Sequence, residues 1–166
     1  VAAQKIHMNN VKRVIRAIEV YTYTNKPISV HQEESRRNPP EHNFILIGIT
    51  MDRQKLYDRI DKRVDLMFEN GLVKEVEKLV EMGYDKSTIA MQGLGYKEIL
   101  EYLKKEMTLD EAIEILKRDT RRYAKRQITW FKKLENIFWI NVDELASQEK
   151  IFKNIKYHLA TYGIFL

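Results

Sequence analysis

Apolar residues along the chain fall into blocks with two periods. Val11, Val14, Ile15, Ile18 and Tyr21 recur at helical spacing, and Asn9 or Asn10 is placed to cap that helix. Residues 26–43 are polar and hold all three prolines, Pro27, Pro39 and Pro40, which predicts a long connection or a domain boundary. Residues 44–50 (FILIGIT) are nearly all apolar and rich in β-branched side chains. Such a run predicts a strand buried on both faces, and with it a parallel sheet flanked by helices. Asp52 caps the next helix, whose core positions are Leu56, Ile60, Val64, Met67 and Phe68 and which ends near Gly71. A shorter helix follows over 72–82, closed by Gly83.

Gln92, Gly93, Leu94, Gly95, Tyr96 and Lys97 then break the helical period with two glycines and open another helix. Glycines in that position permit close approach of a phosphate or of a second backbone, and a plain turn accounts for them equally well. None of the six glycines belongs to a GxxxxGK[ST] loop. Thr108 and Glu111 form a capping box at the start of a long helix. Residues 136–142 (NIFWINV) predict a second buried strand. Residues 146–162 predict a closing amphipathic helix with Ile151, Ile155, Leu159 and Tyr162 inward. The fold class is α/β and helix-rich.

Charge sharpens this picture at one place. Residues 116–134 (LKRDTRRYAKRQITWFKKL) hold eight basic side chains and one acid, Asp119, a net +7 in a chain of net +5. On a helix, Arg118, Arg121, Arg122, Lys125, Thr129, Lys132 and Lys133 share one face, and Ile113, Leu116, Thr120, Tyr123, Gln127, Phe131 and Leu134 line the other. Cations this dense repel unless they are solvated or face an anion. Few acids stand nearby, and guanidinium groups bind phosphate in forked pairs, so the stretch reads as a phosphate-binding face rather than a solvated one. Lys12, Arg13 and Arg16 give the first helix a weaker basic side. Arg59, Asp61, Lys62, Arg63 and Asp65 mix signs as surface ion pairs do.

Composition bounds the rest. At 166 residues and 44% hydrophobic, the chain makes one domain, or one and a part, with a core. It has no apolar run long enough for a membrane span, no signal peptide, and no cysteine for disulfides or thiolate metal sites. The pattern fits a cytoplasmic protein with an anionic partner, most simply nucleic acid. The opening on Val1, directly into helical sequence, predicts a fragment of something longer. His7, His31, His42 and His158 are scattered, no serine lies in a nucleophile motif, and no carboxylate is marked as a general base. The residues thus carry binding chemistry rather than a catalytic centre. A non-catalytic RNA-binding module and a scaffold for an acidic protein are the rival readings.

Four stretches resemble one family. KIHMNNVKRVIRAIEVY, LYDRIDKRVDLMFENGLVKEVEKL, QGLGYKEILEYL and TRRYAKRQITWF stand in the order and spacing of the bacterial tRNA dimethylallyltransferases (tRNA isopentenyltransferases), in their C-terminal half. The likeness covers nearly the whole chain, least clearly 26–43 and the tail after Asp143. Where the family usually has IHPND, this chain has IHMNN at residues 6–10. The family's phosphate-binding loop, catalytic Asp and diphosphate-side Thr belong to its N-terminal half and have no match here.

The resemblance implies the following. The activity is transfer of a dimethylallyl group from dimethylallyl diphosphate to N6 of the adenosine 3′ to the anticodon, in tRNAs reading codons that begin with U, with Mg2+ required. The fold is an incomplete P-loop-kinase-like, ATP-binding type of core with the end of a helical insertion that grips the anticodon stem. Residues 1–40 correspond to the insertion and 41–166 to the second half of the core. The tRNA-binding segments map to Lys12, Arg13, Val14, Ile15 and Arg16, to Gln92 through Lys97, and to Lys125, Arg126, Gln127, Ile128, Thr129, Trp130, Phe131 and Lys132. Arg121 and Arg122 join them from the basic face. Arg63 is the implied contact to the prenyl diphosphate. Mg2+ is held mainly by the other half, and the fragment alone is implied to be inactive. Tyr96, Gln92 and Gln127 are candidates near the anticodon loop, and Trp130, bordering the apolar face, is assigned to the core before RNA stacking. The partner is the tRNA anticodon stem-loop, with no membrane, and the protein is expected to be a monomer.

Overall fold

The structure is a computed structural model that describes residues 2–37, 42–145 and 147–165. Its elements run α1 (Ala2–Lys5), α2 (Val11–Thr24), α3 (Ile28–Arg37), β1 (Leu46–Thr50), α4 (Arg53–Glu69), α5 (Leu72–Glu81), a 3-10 turn (Ile89–Gln92), α6 (Tyr96–Leu103), α7 (Leu109–Phe131), β2 (Ile137–Asn141) and α8 (Gln148–Ala160). They divide into two units, Val1–Phe44 and Ile45–Leu166.

In the first unit, α2 starts where the Asn10 side chain accepts the Arg13 N–H and ends at Asn25 in the left-handed region, φ 53°. The amphipathic stripe forms as its spacing predicts, yet no residue of α2 is buried. Residues 26–43 are not simply a connection, because α3 takes up Ile28–Arg37. Proline has no N–H to donate, and before a first turn that group is dispensable. The Pro27 carbonyl accepts from Val30 and His31, at 2.9 and 3.4 Å. Glu33 and Arg37 pair one turn apart at 2.6 Å, and Lys26 reaches Glu34 at 3.0 Å. Such local pairs give a polar segment helical stability that apolar periodicity does not reveal. Pro39 and Pro40 lie outside the described residues.

The second unit has a helical core. Val64 of α4, Leu72 and Val76 of α5, Met91, Ile99 and Leu100 around α6, and Leu116 of α7 are buried together. Gly71, at φ 94°, turns α4 into α5 where a side chain would be strained. Asp52 caps α4 through the Gln54 and Lys55 N–H groups, at 2.8 and 3.1 Å. Thr108 and Glu111 form the expected capping box on α7, with the Thr108 N–H 2.7 Å from the Glu111 carboxylate.

The two strands pair in parallel, in register from Leu46↔Ile137 to Thr50↔Asn141, so the α4–α7 run is the crossover between them. Side chains alternate across β2. Phe138 stacks on His158 of α8, with ring centroids 3.8 Å apart and planes within 9°. Trp139 lies over Gly48 of β1. The predicted burial on both faces is not met. Ile140 is buried, but Ile49 is 61% exposed and Leu46 and Trp139 more than a third. Among the described residues the sheet has only two strands, so each strand has one free edge and part of the apolar face stays open. On α8, Ile151, Ile155 and Leu159 are half-buried as predicted. Tyr162 falls past the helix end and is exposed, its ring edge-on to His158. Asp143 joins the β2–α8 link to α4, accepting the Asp52 N–H and the Lys55 ammonium, the latter at 2.9 Å. The Asp52 N–H, and after it Lys55, hold the Asp143 carboxyl below the usual carboxylate range.

Candidate nucleic-acid interface

The basic stretch is helical to Phe131, where α7 ends. Lys132 and Lys133 stand just past the helix C-terminus, where the partial negative charge of the backbone favours cations. The eight basic side chains then divide by partner. Arg121 turns to α4, and its Nη1 donates to both carboxylate oxygens of Asp61, at 2.5 and 2.6 Å. Lys117, mostly covered, pairs with Asp65 at 2.7 Å. That hydrogen bond raises the Lys117 pKa against the opposing cost of burial. The two acids of the mixed-sign set on α4, Asp61 and Asp65, are thus interhelix partners of α7. They relieve repulsion that one helix pattern left unrelieved, because the relieving acids sit on another helix. Arg121 accordingly leaves the face it was expected to share with Lys125.

Four of the remaining cations share a surface. Arg122, Lys125, Arg126, Thr129, Trp130 and Lys133 line an open groove of about 480 Å3. Lys125, Arg126 and Lys133 have no carboxylate within ion-pair distance among the described residues. The Arg126 guanidinium lies over the Tyr123 ring, 5.6 Å from its centroid. The Thr129 hydroxyl donates to the Lys125 carbonyl at 2.8 Å. Trp130 is 59% exposed, edge-on to Phe131. The core assignment of Trp130 is therefore corrected. It stands one residue off the apolar stripe, and the helix turns it into the basic groove. Its neighbour Ile128 points the other way, lining a hollow with Ile49, Leu56, Phe131 and Trp139. Lys132 is exposed at the helix end.

The glycine loop is an internal turn first. The Gly93 N–H donates to the Ala90 carbonyl at 3.1 Å, and the Gly95 N–H donates to Glu98 at 2.8 Å. Neither amide is offered outward to a phosphate. Gly95 has φ 99°, and a Cβ there would meet Leu116, Leu72 and Met67 at van der Waals distance. The turn needs glycine for conformation and sits tight on the core. The Gln92 amide donates to the Lys86 carbonyl at 3.1 Å. The Tyr96 hydroxyl donates to Glu75, and that bond raises the Tyr96 pKa. Lys97 is 3.2 Å from Glu98 and 3.8 Å from Asp119. Gln92, Gly93 and Leu94 are left exposed at the loop's outer side.

Arg63 stands on α4 at a second hollow, of about 390 Å3, lined also by Leu56, Ile60, Met67, Leu94, Thr120, Tyr123 and Gln127. Packing of α4 on α7 therefore brings together a residue from each of three separated sequence stretches: Arg63, Leu94 of the glycine loop, and Gln127 of the basic helix. Helix periodicity within any one stretch could not have found this meeting. Tyr123 and Gln127, placed by spacing on the apolar side of α7, are its lining. In the first unit, Lys12, Arg13 and Arg16 are exposed on α2, and Arg16 pairs with Glu19 at 3.2 Å. Among the described residues no three His, Asp or Glu side chains stand close enough to hold a metal ion. No helix there is long and apolar enough to cross a membrane.

Comparison with known proteins adds the family. The IPP transferase family matches residues 1–134. The tRNA dimethylallyltransferase of Acetivibrio thermocellus is 84% identical over 165 residues, covering 99% of this chain and 53% of that protein. The tRNA dimethylallyltransferase of Thermoanaerobacter sp. is 56% identical over 161 residues, covering 96% of this chain and 51% of that protein. Among solved structures, the tRNA delta(2)-isopentenylpyrophosphate transferase of Staphylococcus epidermidis superposes with a TM-score of 0.70 at 41% identity, over 96% of this chain and 52% of that one. A eukaryotic dimethylallyltransferase acting on tRNA gives a TM-score of 0.66 at 29% identity, over 84% of this chain and 37% of that one. The chain spans about half the length of the relatives it matches. The four motifs, the α/β arrangement around a parallel strand pair and these matches agree, and the chain belongs to the IPP transferase family.

Proposed function

We propose that this chain is the RNA-gripping half of a tRNA-modifying enzyme. The intact protein transfers a dimethylallyl group from dimethylallyl diphosphate to N6 of the adenosine 3′ to the anticodon. The observation that carries the reading is the groove on α7, where the exposed Trp130 stands among Lys125, Arg126 and Lys133, cations with no carboxylate partner among the described residues. Cations with an aromatic platform suit a single-stranded loop, whose phosphates take the charges and whose unstacked base takes the ring.

Each residue then has a part. Arg122, Lys125, Arg126, Lys132 and Lys133 bind phosphate and set register without reading sequence. Trp130 stacks on a loop base. The outer side of the Gln92–Lys97 loop, with Leu94, approaches the anticodon loop, and Gln127 offers an amide for a base edge. The target adenosine leaves its stack to be reached. Lys12, Arg13 and Arg16 contact the stem from the first unit, as the end of the helical insertion. Arg63 faces the diphosphate at one side of a mostly apolar hollow, whose leucine, isoleucine and methionine side chains suit a five-carbon hydrocarbon. Mg2+, which the resemblance implies, is assigned to the rest of the intact protein, together with the base that takes the N6 proton.

The test uses the intact gene product. It is incubated with unmodified tRNA, dimethylallyl diphosphate and Mg2+, and the digested nucleosides are weighed by mass spectrometry. The expected product is an adenosine heavier by one dimethylallyl unit, located beside the anticodon. Salt-sensitive tRNA binding with no modified adenosine would instead identify a non-catalytic RNA-binding module.

A further inference from the structure

Asp119 is the one acid among residues 116–134, and it sits beside the groove assigned to RNA. A carboxylate there lowers the potential that attracts phosphate. Its contacts give it a use. Oδ1 accepts from Arg118 Nε at 2.9 Å and from Arg122 Nη1 at 3.4 Å, and Oδ2 is 3.8 Å from Lys97 Nζ. The carboxylate is 20% exposed, while the Arg122 side chain reaching past it is 63% exposed. Arg118 first, then Lys97 and Arg122, hold the Asp119 carboxyl below the usual range, so it stays ionised.

The chain of contacts continues inward. Lys97 Nζ lies 3.2 Å from Glu98 Oε1. Glu98 is 1% exposed, its Oε2 takes the Gly95 N–H at 2.8 Å, and its Oε1 has no hydrogen bond. A buried carboxylate oxygen without a hydrogen bond is tolerated only where a cation faces it, and Lys97 is that cation. Glycine turn, buried acid, lysine, second acid and groove arginine thus form one continuous series.

We propose that Asp119 is a positioning residue for RNA binding. It acts through Arg122, which it holds in one arrangement at the groove. Through Lys97 and Glu98 it also ties the glycine loop to the basic helix. An arginine already ordered on Asp119 loses less side-chain freedom when phosphate arrives. This inference rests on the RNA-binding reading of the groove.

Dilution and positioning predict opposite signs. If Asp119 only dilutes positive charge, Asp119→Asn tightens RNA binding. If Asp119 positions Arg122, the same change weakens binding by roughly three- to tenfold, as loss of an ordered hydrogen-bonded contact does. The slope of log affinity against log salt then becomes shallower by about 0.7, one phosphate contact. The measurement is fluorescence anisotropy of a labelled tRNA anticodon stem-loop on the intact gene product across a salt series. In an Arg122→Gln background, Asp119→Asn is expected to have no further effect, and a full further loss there would overturn the proposal. Arg122→Lys, at an exposed position where folding is not at stake, keeps the charge and loses the fork. Positioning predicts about threefold weaker binding for it, and unchanged affinity would overturn the proposal. A wild-type protein without salt-dependent RNA binding would overturn the groove reading itself. A wild-type protein that binds, with an Asp119→Asn variant that binds tighter, would overturn only the positioning role.

Discussion

A cation of the basic stretch meets one of three local fates. Lys117 and Arg121 meet carboxylates of α4 and fasten two helices. Arg118 and Arg122 share Asp119 on their own helix. Lys125, Arg126, Lys132 and Lys133 lack any such partner among the described residues. The difference sets what each substitution does. Arg121 and Asp61 are half-buried, so their pair exceeds a free surface ion pair without matching a buried one. Arg121→Gln and Asp61→Asn are each expected to cost about 1 kcal/mol, and the double variant about as much as either alone. Denaturant unfolding of the four proteins of that cycle measures it, and strictly additive losses would disprove the pairing. Helix spacing placed Arg121 beside Lys125. The orientation of its guanidinium depended on Asp61, sixty positions away in the chain, and no local pattern carries that information.

At the scale of elements, caps were legible and coverage was not. Asn10, Asp52, Thr108 with Glu111, and Gly71 act where the sequence puts them, since a cap needs only its own first turn. The strand pair was legible in type and nearly in bounds, and its burial was not, since burial depends on neighbours. Gly48 shows the tertiary term at its plainest. A Cβ there would come within 2.6 and 2.7 Å of the Trp139 ring and 2.9 Å of Ile137. Gly48→Ala must push the ring off the strand and is expected to lower stability by about 1–3 kcal/mol, the range for overpacking. Thermal unfolding checks this, and Trp139→Val should recover part of the loss by making room. An unchanged melting temperature for Gly48→Ala would mean that the ring does not lie over the strand. The same ring packing explains why an apolar, β-branched strand carries a glycine at its centre.

At the scale of the molecule, the chain is a helical unit with a basic helix and a larger unit with a basic groove. The net +5 says that anions are attracted, and only the distribution of partners says which cations are available for them. Neutralising Lys125, Arg126 and Lys133 together is expected to make the salt slope of tRNA binding by the intact protein shallower by about 2, at roughly 0.7 per phosphate contact on a single strand. Neutralising Lys117 and Arg121 should leave the slope within a few tenths, although it removes comparable charge. Equal changes per charge removed in the two sets would show that net charge, and not the groove, governs binding.

The sequence by itself determined the family, the helix starts marked by capping residues, the parallel strand pair and the basic stretch. All of these are written in local spacing, in capping chemistry or in motifs that survive as contiguous runs. Tertiary structure decided the rest. It set which basic residues are paired across to α4 and turned Trp130 into the groove. It made the glycine amides internal donors. It also brought Arg63, Leu94 and Gln127 to one hollow. Those outcomes depend on how α4, α6 and α7 pack, and packing joins residues whose separation along the chain carries no periodic signal.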